Sequence, residues 1–205
     1  RKGTQMSAGA ISHTASTRKG FDKRQLIIDA AATLLREGGP EAVSHRSVAR
    51  LAGCSLSATT YYFDGLEDLL HQAGLANMSR WSERAERAAF RARKLKSDAS
   101  VKERIDLILS ATLPDDENLK GHYEQLVSAG GAALVASAYQ FGRVRLNIAV
   151  TTVLSAVGVD LPAEVVIALV DGAAVSALSE GRDVRLTAFE LLDSALHKYW
   201  KIDIV

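Results

Sequence analysis

Apolar positions along this chain recur with a helical step rather than a strand-like alternation. Leu26, Ile27, Ala30, Ala31, Leu34 and Leu35 follow one another at spacings of three and four, which stacks them on one face of a helix. The pattern starts at Phe21 and ends at Gly38-Gly39-Pro40, where glycine permits a left-handed stop and proline cannot continue the ladder. Ser44 then predicts an N-cap for a short helix carrying Val48, Ala49 and Leu51, which stops at Gly53. Ser55 predicts a second cap, with a second short helix running to Tyr62 and a turn at Phe63-Asp64-Gly65. Leu66, Leu69, Leu70, Ala73 and Leu75 open a long helix that reaches toward Lys94.

The remainder reads as helices over 100–112, 118–136, 138–157, 162–180 and 186–201. Pro114-Asp115-Asp116, Gly158-Val159-Asp160 and Gly181-Arg182-Asp183 punctuate them. Asp160 followed by Pro162 is a helix start, because proline in the first turn loses no hydrogen bond. No alternating strand and no internal repeat is visible. The prediction is an all-α chain of about nine helices. It divides into a flexible basic arm (1–20), a small helical domain (21–66) and a larger helical domain (67–205).

Composition narrows the class. Of 205 residues, 47% are hydrophobic and 24% charged, enough for a core and a soluble surface. Cys54 is the single cysteine, so no intrachain disulfide can form, which fits a reducing compartment. Glu164 and Asp171 interrupt the apolar run from Leu161 to Leu178, which argues against a bilayer span. No apolar signal core opens the chain, so a cytoplasmic location is expected. Residues 1–50 hold nine Lys/Arg against four Asp/Glu, while the whole chain carries only +1. A basic end on a slightly acidic body fits a polyanion partner; a tail that only aids solubility fits equally well.

The segment from Ser44 to Phe63 carries the functional signal. Two short helices meet at a tight turn containing Gly53, and Ala49 is small enough for the second helix to cross close over the first. Leu51, Thr59 and Phe63 are expected to face inward. This is helix-turn-helix spacing, whose second helix enters the major groove. The stretch resembles the DNA-binding domain of the TetR family of regulators. The match lies at Ser44, Ala49, Ala52-Gly53, Ser55, Tyr61 and Phe63, within about residues 22–75. Four positions depart from the family pattern: Ser57 replaces a glycine, Thr60 the first tyrosine of a pair, Tyr62 a histidine and Leu66 a phosphate-contacting lysine.

The resemblance implies an all-helical homodimer that holds operator DNA and releases it when a small molecule enters the C-terminal domain. Arg46 is the expected base reader, since a guanidinium can grip guanine bidentately. Ser44 caps its helix and presents backbone N–H groups to phosphate, and His45 is an expected surface contact. Ser55, Leu56, Ser57, Ala58 and Thr60 are expected on the exposed side of the recognition helix. Tyr61 and Tyr62 are expected on phosphates. For the ligand pocket, Trp81, Phe90, His122, Tyr123, Tyr139, Arg143 and Asn147 are candidates, with Asp171 as a polar anchor. For the dimer interface the resemblance implies the last two helices, here offering Val165, Val166, Leu169, Ala173, Ala177, Phe189, Leu192 and Leu196.

Other classes fit less well. Gly130-Gly131 lies outside any phosphate-loop or dinucleotide fingerprint, and the five histidines lack metal-ligand spacing. No catalytic residue, cofactor or metal is therefore expected. A helical small-molecule-binding protein without DNA function remains the alternative, as does a redox sensor built on Cys54.

Overall fold

The computed structural model describes residues 9–114 and 118–199. Among these residues there are nine α-helices and no strand. The helices are α1 Gly9–Gly38, α2 His45–Leu51, α3 Leu56–Tyr62, α4 Leu66–Ala92, α5 Val101–Thr112, α6 Leu119–Ser128, α7 Ala133–Ala156, α8 Ala163–Glu180 and α9 Val184–Ser194, the last followed by a π-helical turn, Ala195–Tyr199. Helix α1 starts at Gly9 rather than at Phe21, so residues 9–20 of the expected arm are helical. Residues 1–8 of that arm, and the tail beyond Tyr199, lie outside the described residues.

Local chemistry sets most boundaries. Gly39 takes φ 69° after α1, and Gly181 takes φ 67° after α8, a conformation that costs glycine little. The Ser44 side chain accepts from the Ser47 backbone N–H at 3.0 Å, and Ser44 N–H donates to the Ser47 hydroxyl at 2.9 Å. The same reciprocal box joins Ser100 and Glu103 at the start of α5. Asn118 caps α6 and Asp183 caps α9. The expected helix over 118–136 is two helices: α6 ends at Ser128, and a 3₁₀ turn at Ala129–Gly131 precedes α7. Gly130-Gly131 causes the break, since neither residue gains from helix and neither has a side chain to pack.

Two apolar clusters form. The first joins Ile27, Ala31 and Leu35 of α1 to Val48, Ala58 and Phe63, and continues into Leu69 and Ala73 of α4. The second fills the space among α4, α5, α7, α8 and α9. Helix α4 belongs to both and packs along α7. The approach of α4 and α7 is close because glycines face side chains. A Cβ on Gly142 would stand 2.5 Å from Met78 Cβ, and one on Gly74 would stand 2.9 Å from Ala138 Cβ.

Candidate nucleic-acid interface and interior cavity

Helices α2 and α3 have seven residues each, too few to persist alone in water. Three contacts hold them. Gly53 takes φ 63°, so the chain reverses between them, and Cys54 N–H donates to Ala49 C=O at 3.0 Å. Thr59 is fully buried, donates its hydroxyl to Leu56 C=O at 2.8 Å and meets His45 Nδ1 at 3.1 Å. Phe63 closes the core beneath α3, with the Arg24 guanidinium over its ring at 5.1 Å.

These contacts decide which side chains face outward. Arg46, Leu56, Ser57, Thr60 and Tyr61 are exposed, Tyr61 at 81%. Ser44 and Ser55 are exposed beside them. Ser55 stands at the N-cap of α3 without a side-chain cap bond, its hydroxyl bonded to that of Ser57 instead. Tyr62 is half-buried and edge-on to Tyr61. Two expectations are corrected. Ala58 is buried in the core of the head rather than displayed, because a step of about 3.6 residues puts it on the same side as Thr59 and Tyr62. Leu51, expected inward, is 52% exposed. His45 is half-buried, with one ring nitrogen directed at Thr59.

The second site is an interior cavity lined by Trp81, Arg84, Thr112, His122, Arg143 and Asp171, with apolar walls from Leu126, Leu146 and Ile167. Its free space is about 30 Å³, room for roughly one water-sized molecule. Tyr123 donates its hydroxyl to Asp171 Oδ1 at 3.1 Å. Burial and the neighbouring Asp171 carboxylate both push the Tyr123 hydroxyl well above the usual tyrosine range. Burial also raises the Asp171 carboxyl, while the Tyr123 hydrogen bond and His122, Arg143 and Arg84 pull it back. Trp81 stacks edge-to-face on His122 and on Tyr139, and His122 on Tyr123.

The cavity thus gathers Trp81, His122, Arg143 and Asp171, with Tyr123 and Tyr139 behind them. Phe90 and Asn147 are elsewhere. Phe90 is 58% exposed on the outside of α4, where it lines a surface groove beside α7 instead. Asn147 reaches Glu164 at 2.6 Å instead. Arg84 and Thr112 line the cavity without having been singled out by the sequence reading.

A buried polar chain links this cavity to α1, and the sequence reading missed it as well. Arg36 of α1 donates to Asn77 Oδ1 at 2.8 Å, and Asn77 Nδ2 donates to Ala32 C=O at 3.3 Å and to Gln125 Oε1 at 3.4 Å. Tyr139 donates to the same Gln125 oxygen at 3.2 Å. Asn77 and Gln125 are almost completely buried. The step of four through Ala73, Asn77, Trp81 and Ala85 places Asn77 on the buried stripe of α4, which was the available signal.

Of the residues expected at a dimer interface, Val166, Ala173, Ala177, Leu192 and Leu196 are buried in the chain's own core. They fill the space between α8, α9 and the rest of the body. Val165 is exposed, and Leu169 and Phe189 are half-buried. Among the described residues no helix is long and apolar enough to cross a membrane, and no group of three or more His, Cys, Asp or Glu could hold a metal ion.

A short two-helix reader on a helical body is the architecture of a helix-turn-helix DNA-binding regulator. Residues 27–73 match the family model of bacterial regulatory proteins of the tetR family. The head is therefore similar to the DNA-binding segment of tetR-family regulators, and the whole chain shares the fold of solved transcriptional regulators. One such structure, from Saccharomonospora viridis, is assigned as a transcriptional regulator and is in complex with choline; it is 20% identical, with 86% of this chain and 97% of that chain covered at a TM-score of 0.64. A protein from Mesorhizobium loti MAFF303099 assigned to the TetR family is 16% identical, with 86% and 96% covered at 0.62. A transcriptional regulator from Rhodococcus sp. Rha1 is 18% identical, with 89% and 98% covered at 0.63. No curated protein sequence matches this chain.

Proposed function

We propose that this chain is a cytoplasmic, homodimeric DNA-binding repressor that a small molecule releases from its operator. The observation that carries the DNA-binding reading is the outward face of the head. Arg46, Leu56, Ser57, Thr60 and Tyr61 are exposed on two helices whose inner sides are fixed by Thr59 and Phe63. Arg46 forms no ion pair among the described residues, so its guanidinium is available to a base edge. The hydroxyls of Tyr61 and Ser44 serve phosphates, which set register without reading sequence. A second copy supplies the second reader, since half-sites lie about 34–36 Å apart. Val165, Leu169 and Phe189 on α8 and α9 remain available for pairing.

Effector release is supported by the cavity and by the polar chain leading from it. Space for one water cannot hold a metabolite, so a ligand has to part α4, α6 and α8 around Trp81, His122 and Asp171. Gln125 and Asn77 join that region to Arg36 on α1, so displacement of α6 alters the seat of the head. The ligand acts by favouring the parted state. The S. viridis regulator in complex with choline and the multidrug binding protein EbrR complexed with imidazole support small-molecule binding by bodies of this fold.

The test is capture of genomic fragments by the purified chain, gel shift on the enriched sequence, and release by candidate metabolites. Arg46→Ala should weaken operator binding by about 1–3 kcal/mol and relax selectivity at one base position. Unchanged affinity on the enriched site removes Arg46 from the readers, and failure to enrich any sequence overturns the DNA reading. Fragments that bind but resist every ligand bound by the body overturn effector release alone.

A further inference from the structure

We propose that the outer face of α4 and α7 is a contact between two copies of this chain, with α7 lying antiparallel on the α7 of its mate. Positions 134, 137, 141, 144, 148, 151 and 155 of α7 alternate steps of three and four, and every one is exposed. That is the spacing of a seam that packs helix on helix. Its centre is apolar: Phe141 is 78% exposed, Val144 64% and Ile148 65%, with Phe90 of α4 beside them at 58%. Solvent gives no reason for four large apolar side chains to gather in one patch, and such patches mark contacts.

The shape is self-complementary. A groove of about 760 Å³ runs between α4 and α7 over Ala89 and Ala149, walled by Phe90, Val144 and Ile148. Phe141 projects at its edge. A two-fold axis near Val144 sets Phe141 of one copy opposite Ile148 of the other and Leu134 opposite Ser155. A ring can then enter the facing groove on both sides at once, as an isologous contact requires. The charge nearest the axis is already neutralised: Arg145 holds Glu86 through two bonds of 2.7 Å and reaches the Ser79 hydroxyl at 3.1 Å. That neutralises one of the two guanidinium groups lining the groove, Arg93 being the other. With about 200 Å² for a fully exposed aromatic side chain, the patch offers on the order of 400–500 Å² per copy. That is more than half of the roughly 800 Å² per partner in a standard interface. This contact is separate from the outer faces of α8 and α9 and does not depend on what the head reads.

The experiment uses the full chain in a Cys54→Ala background. Val144→Cys should cross-link to itself as a covalent dimer under mild oxidation. Ile148→Asp should at least halve the assembly mass measured by light scattering, with the helical circular dichroism unchanged, whereas Val175→Asp on α8 should leave the Val144→Cys cross-link intact. A monomeric parent chain, or an Ile148→Asp mass equal to that of the parent, overturns the proposal, including the case in which the groove instead takes a small molecule. Gel shift of the same variants on an enriched fragment reads the head separately, so loss of this contact and loss of DNA binding are distinguishable.

Discussion

The head and the body of this molecule are built on opposite economies. In the head, two helices of seven residues each are fixed by single contacts: one buried threonine, one glycine in a left-handed turn, one phenylalanine underneath. In the body, helices of 27, 24 and 18 residues share one large apolar cluster. Its buried side chains, Ile105, Leu109 and Val150 among them, belong to that one cluster rather than to separate contacts. A reading surface needs fixed geometry over a short span, and local rules can supply that. The proposed ligand chamber would have to open, and redundant packing between long helices would let it do so without unfolding.

The sharpest way to break this contrast is Phe63→Ala. Phe63 is almost fully buried, and removing such a ring costs about 3–5 kcal/mol. The head should melt first, seen as lost operator binding at a temperature where most of the helical dichroism persists. One transition shared by the whole chain, read by both signals, would erase the distinction. A smaller effect is expected from Gly142→Ala. The new methyl group meets Met78 Cβ at 2.5 Å, which a rotamer change cannot relieve, so α4 and α7 must separate slightly. Overpacking of this kind costs about 1–3 kcal/mol. Calorimetry should show a lower Tm, while the folded fraction keeps its operator affinity. Lost affinity without lost stability would mean that the α4–α7 spacing sets the head directly.

What could be read from the sequence follows the same division. Ser44, Gly53 and Phe63 were legible because a cap, a positive φ and a core ring are local demands. The phases of α2 and α3 were not, since seven residues make about two turns and leave the inner side ambiguous; Leu51 on α2 and Ala58 on α3 fell on the wrong sides for that reason. In the body the helices were legible, apart from the break at Gly130-Gly131 that divides 118–136, and their partners were not. Helix α8 is apolar around most of its circumference, so nothing local tells Val166 and Ala173, which its own chain buries, from Val165, which it exposes. Phe90 and Trp81 look alike as aromatic residues nine apart on one helix, yet one lines the outer groove and the other the cavity. Asn77 and Gln125 become meaningful only when α1, α4, α6 and α7 meet.

Asp171 gives the finest test of the contrast, because its cost falls on the body alone. Burial holds its carboxyl above the ordinary aspartate range, against the pull of Tyr123, His122, Arg143 and Arg84. The fold thus favours the protonated form more than the unfolded chain does. Its contribution is fully present below the unfolded-chain value and is lost as pH rises through the folded one. At about pH 7 the ionised group is therefore a burden. Asp171→Asn should raise stability there, with the gain shrinking toward zero as the solution is acidified to about pH 3. Thermal melts across that range, with operator affinity measured alongside, check both halves: the body's stability should move and the head's affinity should not. Destabilisation near neutrality would instead mean that attraction to Arg84 and Arg143 outweighs burial, and that the polar end of the cavity holds the body together even without a ligand.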